Sequence, residues 1–284
     1  MKKLFNLLFV GAMISCAQSN AQSSKEHISK EIALSSAANQ TVVEVYNLLG
    51  SIRVEGYSGN VVLLEIDKTV SAKNKADIDL GNKEFELGID TKQDTIVIYT
   101  RAPYDTRPSG SKKKEKNNDN HYSIKLDYVI KVPQNVSLRL STINDGLIEV
   151  SQVSGRLKVN NINGGIQVNN AKGQTDLHTI NGGIDVSYTG SPVSGSSCYA
   201  LNGTINAVYP ENLSADLKLK SMNGNFFTDF PNAEIAPQTV VKKNASESGT
   251  TYKLNKDTHL KIGKGENQMN FETLNGNIYI KKRS

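Results

Sequence analysis

A five-residue unit recurs along the second half of this 284-residue chain and limits what the chain can fold into. It reads small or polar, then apolar, then Asn, then Gly or Asp, then usually one further small residue. An alternating strand follows it. The copies are Thr142-Ile143-Asn144-Asp145-Gly146, Asn161-Ile162-Asn163-Gly164-Gly165, Thr179-Ile180-Asn181-Gly182-Gly183, Ala200-Leu201-Asn202-Gly203-Thr204, Ser221-Met222-Asn223-Gly224-Asn225 and Thr273-Leu274-Asn275-Gly276-Asn277. The asparagines lie 19, 18, 21, 21 and 52 residues apart, and the last gap is long enough to hold irregular copies. Leu48-Leu49-Gly50-Ser51-Ile52 reads as an earlier half-copy. Several copies lead into period-two alternation: Ile148 and Val150 share a face, as do Ile166 and Val168, Ile184 and Val186, and Ile278 and Ile280. Further turn residues fall midway, at Ser154-Gly155 and Lys172-Gly173. Each period therefore holds about two strands and two turns.

Composition agrees with an all-β chain. There are 22 Gly and no Trp, and the hydrophobic fraction of 37% suits many short strands and turns better than packed helices. Two architectures fit the repeat. In an antiparallel β meander or sandwich, Asn-Gly would form hairpin turns. In a right-handed β-solenoid, a β-helix-like stack, each period is one coil and equivalent residues stack about 4.8 Å apart. The solenoid also accounts for the unit recurring in phase, and it is the leading expectation. It expects the aliphatic residue before each Asn to point inward. The Asn side chains would bond from coil to coil, and Gly would supply a left-handed corner. The corner residues so identified are Asn144, Gly146, Asn163, Gly164, Asn181, Gly182, Asn202, Gly203, Asn223, Gly224, Asn275 and Gly276. Thr41 to Val54 is expected to cover one end of the stack, and the strand Ile278 to Arg283 the other.

The stretches Tyr128-Val129-Ile130-Lys131-Val132-Pro133, Ser137-Leu138-Arg139-Leu140 and Asn144-Asp145-Gly146-Leu147-Ile148-Glu149-Val150 carry a resemblance, as do the later Asn-Gly copies. Together they resemble the bacterial putative-adhesin family of β-strand repeats. The resemblance covers residues 40 to 284 and is strongest from 122 to 228. It implies an exported, solenoid-like β domain of undefined biochemical function, with no binding residues to carry over. The chain departs from that pattern in its Lys-rich loop and in the irregular segment 229–270.

The N-terminus reads as an address. Met1, Lys2 and Lys3 precede an apolar run from Leu4 to Ile14, and small and polar residues follow to Ala21. This is the secretory signal pattern, with cleavage expected after Ala21 and a mature start at Gln22. The run is too short to span a bilayer as a mature helix. Cys16, after Met13-Ile14-Ser15, offers an alternative: a loose lipoprotein box, with the chain lipid-anchored through Cys16. Without Cys16 the chain keeps only Cys198, so no intrachain disulfide is expected and stability must come from the core.

Past the signal, residues 22–40 read as a flexible lead-in, with a short helix around Glu26 to Leu34. The β-repeat domain spans 41–284. Residues 71–84 read as a short helix or a loop. Residues 101–121, with two prolines and a Lys-rich run at 112–116, read as a disordered loop.

Chemistry is sparse. Asp176-Leu177-His178 puts a carboxylate and an imidazole on one strand face, with Asp185 a corner away, which is short of a triad or a closed metal site. Asp145, Glu149, Asp176 and Asp185 do not form the paired acids of a glycosidase. Asn-Gly-Gly lacks the Lys-Ser/Thr of a phosphate loop, and no copy reads Gly-Gly-x-Gly-x-Asp. No catalytic, cofactor or metal residue is therefore assigned. The net charge of 33 − 28 = +5 is modest and no basic stripe recurs, which disfavours nucleic acid. Tyr188, Tyr199 and Tyr209 are candidates for a sugar-stacking face. The expectation is a non-enzymatic, exported cell-envelope module, in the periplasm or at the cell surface, adhesin-like in a binding or structural role, whose polar face meets glycan, peptidoglycan, an envelope protein or the chain itself. An envelope signalling scaffold and a carbohydrate-active enzyme are the alternatives. The sequence leaves the oligomeric state open.

Overall fold

The computed structural model describes residues 22–108, 121–191, 193–235, 240–246, 249–254 and 258–283. The expected signal segment with Cys16, and the 112–116 lysine run, lie outside the described residues. The described chain is almost wholly β. It forms a ten-stranded sheet, an eleven-stranded sheet and a separate hairpin of Val240–Ser246 with Gly249–Leu254. The two large sheets are mixed, neither closes into a barrel, and they meet in a sandwich-like arrangement across one apolar core.

The repeat decides how that core is filled. In the eleven-stranded sheet, Val42–Tyr46, Ser137–Thr142, Leu157–Asn163, Thr175–Asn181 and Ser196–Asn202 lie side by side, each parallel to the next. In the ten-stranded sheet, Ile52–Tyr57, Ile148–Ser151, Ile166–Ala171, Ile184–Tyr188 and Ile205–Tyr209 do the same. The chain alternates between the sheets, so each Asn-Gly unit is a corner from one sheet to the other, and no hairpin forms there. The midway Ser154-Gly155 and Lys172-Gly173 turns carry it back. We call one strand from each sheet plus its corner a rung.

Alternation fixes what faces inward. Leu157, Val159, Leu177 and Cys198 from one sheet meet Ile166, Val168, Ile184 and Val186 from the other, all essentially inaccessible to solvent. Burying each large aliphatic side chain contributes roughly 1.5–3 kcal/mol. Tyr188 and Tyr209 are buried as well, stacked with ring centroids 4.8 Å apart.

The last strands are out of chain order. Gln268–Asn275 lies between Ser196–Asn202 and Ala215–Asn223, parallel to both. Ile278–Lys282 likewise lies between Ile205–Tyr209 and Phe226–Thr228. The C-terminal strand is therefore an interior rung rather than the expected end cap. Ala233–Ile235 and Thr258–Ile262 extend the eleven-stranded sheet at that end by antiparallel pairing.

The other end also differs from expectation. Thr41 to Val54 is not terminal, because further strands are added outside it. Thr95–Ala102 and Glu86–Lys92 extend one sheet. Tyr122–Pro133, Val61–Ala72 and Gln22–Ala33 extend the other. Residues 22–33, read from sequence as a flexible or helical lead-in, form a 12-residue strand against Val61–Ala72. Its Ile28 and Ile32 pack against the core from the edge, and that gain outweighs the local polarity. The one α-helix among the described residues, Lys75–Glu84, is capped by Asn74, whose Oδ1 accepts from the Asp77 N–H at 2.9 Å. It closes over Val61–Ala72 and Tyr122–Pro133, burying Ile78 and Gly81.

Candidate binding face

The Asn-Gly corners stack into columns. In each unit the Asn side chain bonds the Asn of the next rung. Asn163 donates to Asn144 at 2.8 Å, Asn181 to Asn163 at 2.8 Å and Asn202 to Asn181 at 3.0 Å. Asn275 donates to Asn202 at 2.7 Å, and Asn223 to Asn275 at 2.7 Å. Every bond runs in the same direction, Nδ2 to Oδ1, along an exposed ladder of six asparagines.

The residue two before each Asn supplies a second, inner column. Thr142 Oγ1 donates to Gly50 O at 3.0 Å, Thr179 Oγ1 to Gly164 O at 2.8 Å and Thr273 Oγ1 to Gly203 O at 3.0 Å. Ser221 Oγ donates to Gly276 O at 3.0 Å. Asn161 Nδ2 reaches the carbonyls of Gly146 and Gly165, both at 2.9 Å. Each gives a corner carbonyl a side-chain donor, and Gly165 O also accepts from the Ile148 N–H at 3.2 Å. At the half-copy, buried Asn47 bonds the carbonyls of Leu49, Gly50 and Leu126 instead.

Two expectations about the corner need correction. The first concerns glycine. Of the six corner glycines, Gly146, Gly164, Gly182, Gly203 and Gly224 do not have positive φ, and Gly276 alone does, at 158°. They are glycine because the rungs approach so closely there. A Cβ on Gly182 would lie 2.2 Å from Gly164 O, and one on Gly203 would lie 1.9 Å from Gly182 O. The second concerns the aliphatic residue before each Asn, which points outward. Thr179 continues the inward phase of Thr175 and Leu177, so Ile180 must face solvent. Register aligns Ile143, Ile162, Ile180, Leu201, Leu274 and Met222 into one partly to fully exposed row on the eleven-stranded sheet.

That row is flanked on one side by the Asn ladder. On the other side runs Ser141, Asn160, His178, Tyr199, Glu272 and Lys220. The next row is Arg139, Lys158, Asp176, Ser197, Asn270 and Lys218. Charges on this face are largely matched. Arg139 pairs with Glu44 at 2.6 Å, Lys158 with Asp176 at 3.5 Å, and Lys220 with Glu272. His178 and Tyr199 lie ring to ring at 4.6 Å. A shallow hollow of about 320 Å³ on the same face is lined by Lys218, Lys220, Asn270, Phe271 and Glu272.

The sequence-derived acids do not converge. Asp176 is held by Lys158 and by Ser197 Oγ, which donates to it at 3.1 Å. Asp185 lies around the corner on the ten-stranded sheet, accepting from Asn206 at 2.7 Å. Glu149, also on that sheet, pairs with Arg53 at 2.8 Å. Among the described residues no three His, Cys, Asp or Glu side chains stand close enough to hold a metal ion. Of the three tyrosines considered for sugar stacking, Tyr188 and Tyr209 are core residues and Tyr199 alone faces outward. Cys198 is buried, and burial pushes its thiol up to about 12. No helix among the described residues is long and apolar enough to cross a membrane.

No protein-family model matches the chain, and no curated protein does. Several solved structures align with most of the chain. A putative cell adhesion protein from Clostridium sporogenes is 12% identical with a TM-score of 0.46, over 92% of this chain and 100% of that one. A putative adhesin from Bacteroides fragilis is 11% identical with a TM-score of 0.34, over 92% and 98%. A putative lipid binding protein from Parabacteroides distasonis is 12% identical with a TM-score of 0.29, over 91% and 97%.

Proposed function

We propose that this chain is an exported, non-enzymatic binding module of the cell envelope, built as a right-handed β-solenoid. The outer face of its eleven-stranded sheet would hold an extended, uncharged glycan strand, free or within peptidoglycan. The solenoid reading is supported by parallel pairing in both sheets and a chain that crosses between them at every corner. Parallel crossovers are right-handed in nearly all proteins.

One observation carries the binding reading: a partly exposed apolar row lies directly beside an exposed amide ladder, in register across six rungs. Each interior Asn spends one N–H and one oxygen lone pair on its neighbours and keeps another of each for a ligand. Aliphatic side chains and Tyr199 suit the C–H faces of sugar rings, and the amides suit their hydroxyls. Because the charges beside the row are matched within the protein, a neutral polymer is favoured over an acidic one.

The test is co-sedimentation with isolated peptidoglycan, together with a glycan array. The native chain is compared with Ile180→Lys on the proposed face and Gln167→Lys on the opposite sheet. Saturable binding that is lost only in Ile180→Lys supports the reading. Release of shortened sugars would move the assignment to an enzyme. Protein capture without glycan binding would move it to a signalling scaffold.

A further inference from the structure

We infer that the Gln22–Ala33 strand is a self-association site, through which two copies of this chain join their ten-stranded sheets edge to edge about a two-fold axis. The strand is 12 residues long and, among the described residues, pairs on one side only, with Val61–Ala72. No described strand covers its other side. An edge of this length is a template for a further strand unless something blocks it. Lysine or proline would be the usual block, but this strand has no proline, and its charges are arranged as their own complement.

Its centre reads Lys25-Glu26-His27-Ile28-Ser29-Lys30-Glu31. When a second copy pairs antiparallel with Ile28 opposite Ile28, residues whose numbers sum to 56 face each other. Lys25 then meets Glu31 and Glu26 meets Lys30. Symmetry doubles both pairs, giving about four opposite-charge contacts across the edge. Neighbouring registers lose this match. A shift of one residue sets Lys25 opposite Lys30 or Glu26 opposite Glu31, and in-register parallel pairing sets every charge against itself. Like charges directly opposite are destabilising, so the pattern selects one orientation and one register.

The same register joins the apolar faces. Ile28 would meet its own copy on the core side, extending the partly buried row that Ile28 and Ile32 begin. All four central charges are exposed. Glu26 is also drawn toward the chain's own Val61–Ala72, where it pairs with the buried ammonium of its cross-strand neighbour Lys68 at 2.5 Å, so the Lys25–Glu31 pairs carry most of the selectivity. Lys25 and Glu31 face Thr69 and Leu63 within the chain, so reversing their charges sets no like charge against its cross-strand neighbour.

Sedimentation velocity of the exported full chain over a concentration series, at low and high salt, tests this. The expected result is a dimer that weakens with salt. Lys25→Glu should raise its dissociation constant at least about tenfold, and Lys25→Glu with Glu31→Lys should restore it to within about threefold. Unchanged melting curves verify that both variants fold. A chain that stays monomeric, a dimer indifferent to Lys25→Glu, or failure of the double reversal to restore it would each overturn the inference.

Discussion

Asn275 donates a hydrogen bond to Asn202 at 2.7 Å although 73 residues separate them. Asn223, nearer in sequence to Asn202, reaches it only through Asn275. The C-terminal rung is thus a wedge between two rungs made earlier in the chain. Its Met269, Phe271, Ile278 and Ile280 are buried between them.

Deleting residues 268–283 should therefore abolish cooperative folding. The rungs 196–209 and 215–228 would face a gap wide enough for a whole rung, with apolar side chains open to water. Circular dichroism should show a broad, low-temperature transition. A sharp melt near that of the whole chain would contradict the interior placement.

The glycine column predicts a contrast between the two glycine positions of the Asn-Gly-Gly unit, one tested in each of two neighbouring copies. In Gly182→Ala the new methyl would collide with a backbone carbonyl of the adjacent rung, which cannot move alone. A loss of about 3 kcal/mol is expected from such overpacking. At Gly165 the nearest atoms to a Cβ are 3.4 Å away, so Gly165→Ala should change stability by no more than about 0.5 kcal/mol. Urea denaturation of the two variants makes the comparison.

The inner column predicts a matched loss and gain. Thr179→Val keeps the shape but leaves Gly164 O without its hydroxyl partner, at a cost of about 1–2 kcal/mol. Ala200 is the one unit whose residue at that position has no donor. Ala200→Ser, which reproduces the Ser221 arrangement, should add up to about 1 kcal/mol. Shifts of opposite sign in thermal midpoint, with the loss the larger, are the signature to look for.

The edge strand should respond to pH. His27 bonds Asp67 and Glu65, each at 2.8 Å, and those bonds, Asp67 first, raise its pKa above 6.5. A raised folded value means the contribution is complete below pH 6.5 and is lost as pH rises through the folded pKa. Amide protection factors across Gln22–Ala33 should fall over that window and stay flat in His27→Gln. The same fall in His27→Gln would rule out this source.

The sequence-level pattern makes some of this fold legible and hides the rest. Phase is legible: counting on in twos from Leu177 places Thr179 inside and Ile180 outside. Reading the aliphatic residue as inward followed hydrophobicity where alternation was the stronger constraint. The crowding that demands glycine is not legible, because it is set by a neighbouring rung about 20 residues away rather than by local dihedrals. Nor is the wedge, since a 52-residue spacing is as compatible with appended rungs as with inserted ones. The Gln22–Ala33 strand is polar in sequence and gains its stability from pairing with Val61–Ala72, a contact no local propensity reports. On the binding face, the register that turns scattered Ile, Leu and Met residues into one row appears only once the strands are aligned.

Glycan binding of the proposed kind requires that face to act as one continuous surface. From Asn144 to Asn223 it crosses five rung spacings, about 24 Å at about 4.8 Å each. The direct measurement is affinity against ligand length, using a graded series of oligosaccharides from one glycan that the chain retains. The predicted result is affinity that climbs with each added sugar until the ligand spans the face and then levels off, with the climb abolished by Ile180→Lys. A single sugar binding as tightly as the longest oligomer, or a climb unaffected by Ile180→Lys, would contradict it.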